Sequence, residues 1–334
     1  MAWRRAATIT TSKTSTPCTT SRPGRRGSTR CCSFSLRDDV AVLLRLFGRT
    51  GLKVSVLGLG ALQVGEPALD DRAAGRLLNH ALDLGIRLID TARGYQLSEE
   101  RIGRHIAHRR DEYVLSSKCG YGVEGVPDWT SRCVTCGIDA ALRRLRTDCV
   151  DIMHLHSCPL ETLRRGAVVG ALDRAVKAGK VRVAAYSGEN DALAFALESR
   201  RFAALQMSVN VCDQRSISAI LPRARRAGLG VIAKRPLANA FWRFHARPRG
   251  DDCEAYWERA RIMRLDPGRL PWDEFALRFA AFTPGVHACI VGTADIRHLR
   301  RNVALVERGP LPAGVRRSVL RAFSSDQADW TGRV

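Results

Sequence analysis

The sequence predicts a (β/α)8 TIM barrel, an α/β fold, built as one domain. Three observations carry that reading. Short apolar runs alternate with stretches of helical period through most of the 334 residues. Eight such runs can be read, most followed by a helix, at the spacing that parallel crossovers need. Asp90, Lys118 and His156 stand at or just beyond the ends of three successive runs, where a barrel of this kind gathers its active-site groups.

The first run, 54–59, is closed by Gly60. Asp70 or Asp71 can cap the next helix, whose Ala74, Leu77, Leu78, Ala81 and Leu82 form one stripe before Gly85 ends it. Residues 86–89 make the second strand and lead into Asp90; a helix at 99–108 and a strand at 113–117 follow. The helix at 131–145 precedes the strand 150–155, and a helix around 172–178 precedes the strand 181–186. Helix 192–197 then leads to strand 204–209, helix 217–227 to strand 230–233, and helix 273–281 to strand 287–291. A last helix spans 296–307. A doubly wound sheet is the competing architecture. Gly58-Leu59-Gly60-Ala61-Leu62-Gln63 resembles the start of a dinucleotide fingerprint, but Gln63 takes the place of its third glycine and Pro67 delays the next helix.

A hydrophobic content of 45% can fill a large core. No stretch reaches the roughly 18 uncharged apolar residues of a membrane span, so a soluble, cytoplasmic protein with no membrane partner is expected. The net charge of +21 invites a nucleic-acid reading, yet the first fifty residues alone hold ten Lys/Arg against Asp38 and Asp39. The remaining charge is spread over many helix faces, with no basic run interleaved with aromatics, and nucleic acid is set aside as a partner. Eleven cysteines, an odd number scattered partly in apolar runs, suit a reducing compartment. Cys133 and Cys136 form a lone CxxC, and Val134, Ile138, Leu142 and Leu145 around it repeat with helical spacing. A helix face is the expected role there, with no metal site.

Residues 1–36 contain fourteen Ser/Thr and no Asp or Glu. Such a segment buries too little apolar surface to offset its ordering entropy, so 1–45 is expected to be a disordered Ser/Thr/Arg-rich extension. Its composition is that of organelle transit peptides; an extension without a role is the preferred reading. The folded domain is expected to run from 46 to 334.

The candidate site residues point to one chemistry. A tyrosine gives up its proton near neutral pH only where nearby cations stabilise the phenolate. Tyr95 lies on a short loop after Asp90 and can fold back over a barrel mouth. Lys118 ends an apolar strand, where an unpaired ammonium is costly, so a partner is implied. His154 and His156 share one strand face; alone they would fit a metal pair or two core histidines. Asp90 alone would read as a helix cap, but the next helix starts too far away, near Ser98. Together the set suggests reduction of a carbonyl.

Asp90-Thr91-Ala92, Tyr95, Ser98-Glu99, Lys118 and the Leu155-His156 strand end resemble the aldo-keto reductases. Further matches follow in order: Gly51 to Ser55, Leu57 to Gly60, the run 177–181, Ser187, Gln206 with Asn210, the run 233–237, and Gly292-Thr293 through Asn302. The resemblance covers 46–334. It implies that Tyr95 is the general acid toward the oxygen of a small-molecule carbonyl substrate, an aldehyde or ketone, as hydride arrives from a nicotinamide. Lys118, paired with Asp90, would supply the charge beside the tyrosine, and His156 would orient the substrate oxygen. Ser187 and Gln206 would hold the carboxamide of the nicotinamide. The pyrophosphate would lie along Pro236, Leu237 and Asn239, while Gly292, Thr293, Arg297, His298 and Asn302 would grip the adenosine end. The implied cofactor is NADP, with NAD as the alternative. Three positions depart from the common pattern: Gly188 replaces an asparagine at the carboxamide, Lys234 a tyrosine under the nicotinamide, and Arg301 a glutamate near the adenine. The loop 238–252, with Phe241, Trp242 and Phe244, is a candidate substrate wall. The competing functions are a cofactor-binding regulatory subunit that senses redox state with little turnover, and a basic scaffold acting through its tail.

Overall fold

A computed structural model describes residues 42–323 and 330–333. Two short antiparallel strands, β1 (Leu44–Leu46) and β2 (Lys53–Ser55), precede the barrel. The barrel then alternates strand and helix: β3 (Leu57–Gly60), α1 (Asp71–Asp83), β4 (Leu88–Asp90), α2 (Ser98–His105), β5 (Val114–Cys119), α3 (Ser131–Leu145), β6 (Val150–His156). Helices α4 (Leu160–Arg165) and α5 (Ala167–Lys177) lead to β7 (Val181–Ser187), and α6 (Asn190–Glu198) to β8 (Ala204–Ser208). Helices α7 (Arg215–Ala219) and α8 (Leu221–Ala227) precede β9 (Gly230–Lys234). Then come α9 (Glu254–Ile262), α10 (Trp272–Ala281), β10 (Ala288–Gly292), α11 (Ile296–Glu307) and α12 (Ala313–Ala322). Strands β3 to β10 pair in parallel, each with its successor, and β10 closes on β3. The expected (β/α)8 barrel is the fold observed. Among the described residues no helix is long and apolar enough to cross a membrane.

Side chains alternate between the barrel lumen and the helix layer because successive strand residues face opposite ways. Leu88, Val114, Ile152, Val183, Ala204, Ile232 and Ala288 fill the lumen below the C-terminal mouth. The outer layer packs Leu77, Leu78 and Leu82 of α1, Ile138 and Leu145 of α3, and Leu172 of α5 against the strands. Cys133 is buried and Cys136 half-buried on α3, whose Val134 and Ile138 face this layer. The N-terminal mouth is plugged. Phe47, fully buried, joins the lumen cluster with Val54 and meets His287 edge-on, ring centroids 5.7 Å apart. A Cβ added at Gly230, the first residue of β9, would lie 2.4 Å from the Phe47 ring, so that strand start has room for glycine alone.

Some boundaries differ from expectation, each for a physical reason. The run 54–59 is two strands: the chain leaves the hairpin and enters the barrel at Val56, where the Ser55 hydroxyl donates to the Leu57 carbonyl at 2.6 Å. Helix 217–227 is broken at Ile220, because Pro222 has no N–H and crowds the preceding turn. Helix 99–108 stops at His105 and tightens into a 3-10 turn, Ala107–Glu112. The expected extension 1–45 lies outside the described residues except for 42–45, of which Leu44 and Arg45 enter the hairpin.

Candidate active site

Strand register brings the candidate residues together before any side chain is considered. Asp90 is opposite Ser116, Lys118 opposite His154, His156 opposite Ser187, and Ser187 opposite Gln206. Neighbouring strands lie about 4.8 Å apart, so these ends form a contiguous arc at the C-terminal mouth.

Asp90 is the hub. Its Oδ2 accepts from Lys118 Nζ at 2.6 Å; its Oδ1 accepts from the Ser116 hydroxyl at 2.7 Å and from Gln206 Nε2 at 3.0 Å. The Gln206 bond crosses the mouth, since β8 lies opposite β4 in the closed order. Lys118 Nζ also donates to the Thr91 carbonyl at 2.8 Å. Both partners are buried, an arrangement that survives only when nearly every polar atom is satisfied. Burial disfavours the charge on Lys118, yet the Asp90 carboxylate outweighs it and holds the ammonium above the ordinary lysine range. Ser187 donates to Gln206 Oε1 at 2.8 Å, which fixes the glutamine amide toward Asp90.

Tyr95 sits above this pair. Lys118 Nζ lies 4.9 Å from the Tyr95 ring centroid, a cation–π distance. The loop carrying Tyr95 is pinned by its neighbours: Ser98 N donates to the Tyr95 carbonyl at 2.9 Å, and Leu97 N to the Gly65 carbonyl at 3.1 Å. A Cβ at Gly65 would fall 1.7 Å from the Tyr95 carbonyl oxygen, so glycine there sets how closely the loop can pack.

His156 faces Tyr95 edge-on, ring centroids 6.2 Å apart. Burial, with the positive charges of Lys118 and Lys234, pushes its pKa down to about 2 and keeps the imidazole neutral. His154, one strand layer deeper, accepts or donates at Ser116 Oγ through Nε2 at 3.1 Å, and burial takes its pKa down to about 3. The two histidines do share a face, as their spacing requires.

Two site residues escape sequence reasoning. Tyr121, on the loop after β5, places its hydroxyl 2.7 Å from His156 Nδ1 and stacks on that ring at 5.4 Å. Ser116 bridges Asp90 and His154. The only hint at Tyr121 is an aromatic between two glycines just past a strand end, a pattern that mostly marks a turn.

The residues expected to hold a cofactor are less uniform. Ser187 and Gln206 belong to the network at the mouth. Pro236 and Leu237 follow β9, but Asn239 has a left-handed backbone (φ 51°) and spends its amide on the Asp252 carbonyl at 3.3 Å. Beside β10 and α11 a cavity of about 580 Å³ is lined by Arg76, Thr293, Asp295 and His298 among others. Thr293 and Asn302 are buried; His298 and Arg297 are exposed. Asp295 caps α11 by accepting from Arg297 N at 2.7 Å, and its carboxylate also takes the Arg297 guanidinium at 2.7 Å. Arg76, from α1, brings a cation to this cavity that sequence order does not suggest. Gln63 Oε1, next to Gly292, is buried with no partner, an acceptor left open at the same edge.

Each departure from the common pattern has a local partner. A Cβ at Gly188 would be 2.4 Å from the Tyr186 hydroxyl, which donates to the Cys158 carbonyl at 3.1 Å; that tyrosine leaves room for nothing larger. Lys234 Nζ lies 3.2 Å from Glu189 Oε1. Arg301 is tied to Asp273 of α10, its Nη2 donating to Oδ1 at 3.0 Å.

Fold and mouth chemistry together define a barrel oxidoreductase. The aldo/keto reductase family profile matches residues 56–318, and the chain belongs to that family. L-galactose dehydrogenase of Arabidopsis thaliana is 27% identical over 281 residues, covering 79% of this chain and 88% of that protein. An aldo/keto reductase from Klebsiella pneumoniae, solved in complex with NADP and acetate, superposes with a TM-score of 0.65 at 25% identity, covering 83% and 94% of the two chains. The holo form of an aldo-keto reductase from Bacillus halodurans shares the fold with a TM-score of 0.73 at 23% identity, covering 85% and 97%.

Proposed function

We propose that the protein reduces an aldehyde or ketone to the alcohol at the expense of NADPH, with NADH as the alternative donor, and that Tyr95 is the general acid. The observation that carries the reading is the buried Lys118–Asp90 pair beneath the Tyr95 ring, with a neutral His156 edge-on beside it.

A nicotinamide held by Ser187 and Gln206 would supply hydride for the carbonyl carbon. The protein's own groups handle the oxygen. Tyr95 gives its phenolic proton to that oxygen as negative charge develops there, and the charge left on the ring is offset by Lys118. Asp90 keeps Lys118 protonated and aimed; Ser116, Gln206 and Thr91 fix Asp90 and Lys118 in turn. His156, uncharged, offers an N–H to the same oxygen without competing as an acid.

Ser187 and Gln206 suit a carboxamide, since both present polar atoms at adjacent strand ends. Thr293, Arg297, His298 and Asn302, with Gly292 at the strand end and Arg76 opposite, would hold the adenosine end. Exposed cations around the N-terminus of α11 favour a phosphate there. The relative that acts on L-galactose adds sugars to the range of substrates worth assaying.

The test is oxidation of NADPH and of NADH against a panel of aldehydes, ketones and sugars, with Tyr95→Phe beside the wild type. Tyr95→Phe keeps the ring and removes the acid, so the rate is expected to fall by about 10² to 10⁴ while cofactor affinity is retained. Near wild-type turnover by the variant would rule Tyr95 out as the proton donor. Tight cofactor binding with no turnover of any carbonyl would instead favour a regulatory subunit.

A further inference from the structure

We infer that Tyr121 is a positioning residue for the carbonyl-binding histidine: by donating its hydroxyl hydrogen bond to Nδ1 of His156, it leaves the imidazole proton on Nε2. The inference rests on the carbonyl-reductase reading for its catalytic consequence, while its structural content rests on the hydrogen-bond geometry and the burial of the two rings.

A neutral imidazole carries one N–H, and the hydrogen bond made at one nitrogen decides which nitrogen bears it. His156 is neutral because burial and two nearby cations oppose a second proton. The Tyr121 hydroxyl lies 2.7 Å from Nδ1. Burial holds Tyr121 in its phenol form, with an O–H to give. If the phenol donates, Nδ1 must be the unprotonated nitrogen, and Nε2 keeps an N–H for a substrate oxygen.

The loop that presents Tyr121 is built to hold it there. Gly120 has φ +127°, a backbone that side chains resist, and a Cβ on it would be 2.2 Å from the Trp129 ring. Trp129 N donates to the Gly120 carbonyl at 2.7 Å, and Gly122 N to Asp128 Oδ1 at 2.9 Å, so both ends of the turn are closed. The Trp129 ring backs Tyr121 at 5.9 Å, and Tyr121 in turn stacks on His156 at 28°. On the remaining side the hydroxyl meets Gly94, where a Cβ would be only 2.9 Å away. The phenol is thus confined between the tyrosine loop and the histidine.

Two readouts on the full chain test this. Nitrogen-15 NMR of histidine-labelled protein, with the His156 signals assigned through His156→Asn, reports the tautomer without needing turnover. The expected result is an Nε2–H imidazole in the wild type and a shift toward Nδ1–H in Tyr121→Phe, which keeps the stacking ring. In steady state, Tyr121→Phe should lower kcat/KM for carbonyl reduction by about tenfold to a hundredfold, with NADPH affinity within twofold of wild type. An Nδ1–H tautomer in the wild type overturns the inference, as does an unchanged tautomer or an unchanged rate in the variant. Should the wild type turn over no carbonyl, the reductase reading fails while the NMR arm still decides the hydrogen-bond assignment.

Discussion

At the scale of single residues, the site is a set of charges arranged so that none is left alone. Lys118 is tolerated in its buried place because Asp90 and the Thr91 carbonyl meet it, and Asp90 because Ser116 and Gln206 complete its hydrogen bonding. The side proposed for the adenosine end is arranged differently. Asp295 both caps α11 and holds the Arg297 guanidinium, so the nearest cation to that helix end is already paired. Replacing Asp295 with Asn keeps a capping side chain and frees Arg297. The preference for NADPH over NADH should then rise by about threefold to tenfold, as expected when one exposed charge pair is removed. Titrating both cofactors against wild type and Asp295→Asn checks it; an unchanged ratio would mean that Arg297 does not reach the 2′-phosphate. Asp90, Lys118 and His156 were legible as a group in the sequence because they close apolar runs at successive strands, and Tyr95 because it follows Asp90 on a short loop; singly, each had a bland explanation. Tyr121 was not, since loop geometry alone brings it onto His156. Nor was the reason for Gly188, which lies in the bulk of Tyr186, two residues away.

At the scale of elements, the hairpin β1–β2 is the piece that sequence periodicity hides. It is short, its strand β1 is largely exposed, and only Ser55 interrupts the apolar residues that run from β2 into β3. Its contribution is concentrated in Phe47, which fills the N-terminal mouth against Val54, Gly230 and His287. Phe47→Ala should therefore cost about 3–5 kcal/mol of stability, the usual range for emptying a fully buried aromatic site. Urea unfolding measures this, and kcat at a temperature where the variant remains folded should stay close to wild type. A loss below about 1 kcal/mol would show that the mouth collapses to refill the space. The barrel strands were legible because each is a compact apolar run. Helices α9 and α12 were not, for their sequences are rich in arginine and show only a thin apolar stripe. The break between α7 and α8 is visible in retrospect at Pro222, whose effect on the preceding turn outweighs the continuous apolar pattern.

At the scale of the whole molecule, the histidines of the mouth make stability depend on pH. His154 and His156 are held neutral, with pKa values lowered to about 3 and about 2, whereas in the unfolded chain each takes up a proton below about 6.5. The unfolded state then binds more protons than the folded one, so stability falls as pH drops through 6.5 toward those lowered values. Each histidine should remove about 2 kcal/mol between roughly pH 7.5 and pH 5. Denaturant midpoints across that range measure it, and a flat profile would show that neither ring is neutral in the folded state. The barrel also separates its features along its axis, the candidate site at one mouth and the Phe47 plug at the other. Substitutions at opposite ends share no contacts, so their free energies should add. That separation has an evolutionary meaning. A chain whose floor is closed by its own packed plug can exchange loops of its open mouth, the 238–252 loop among them, and explore new substrates without first having to solve its folding again.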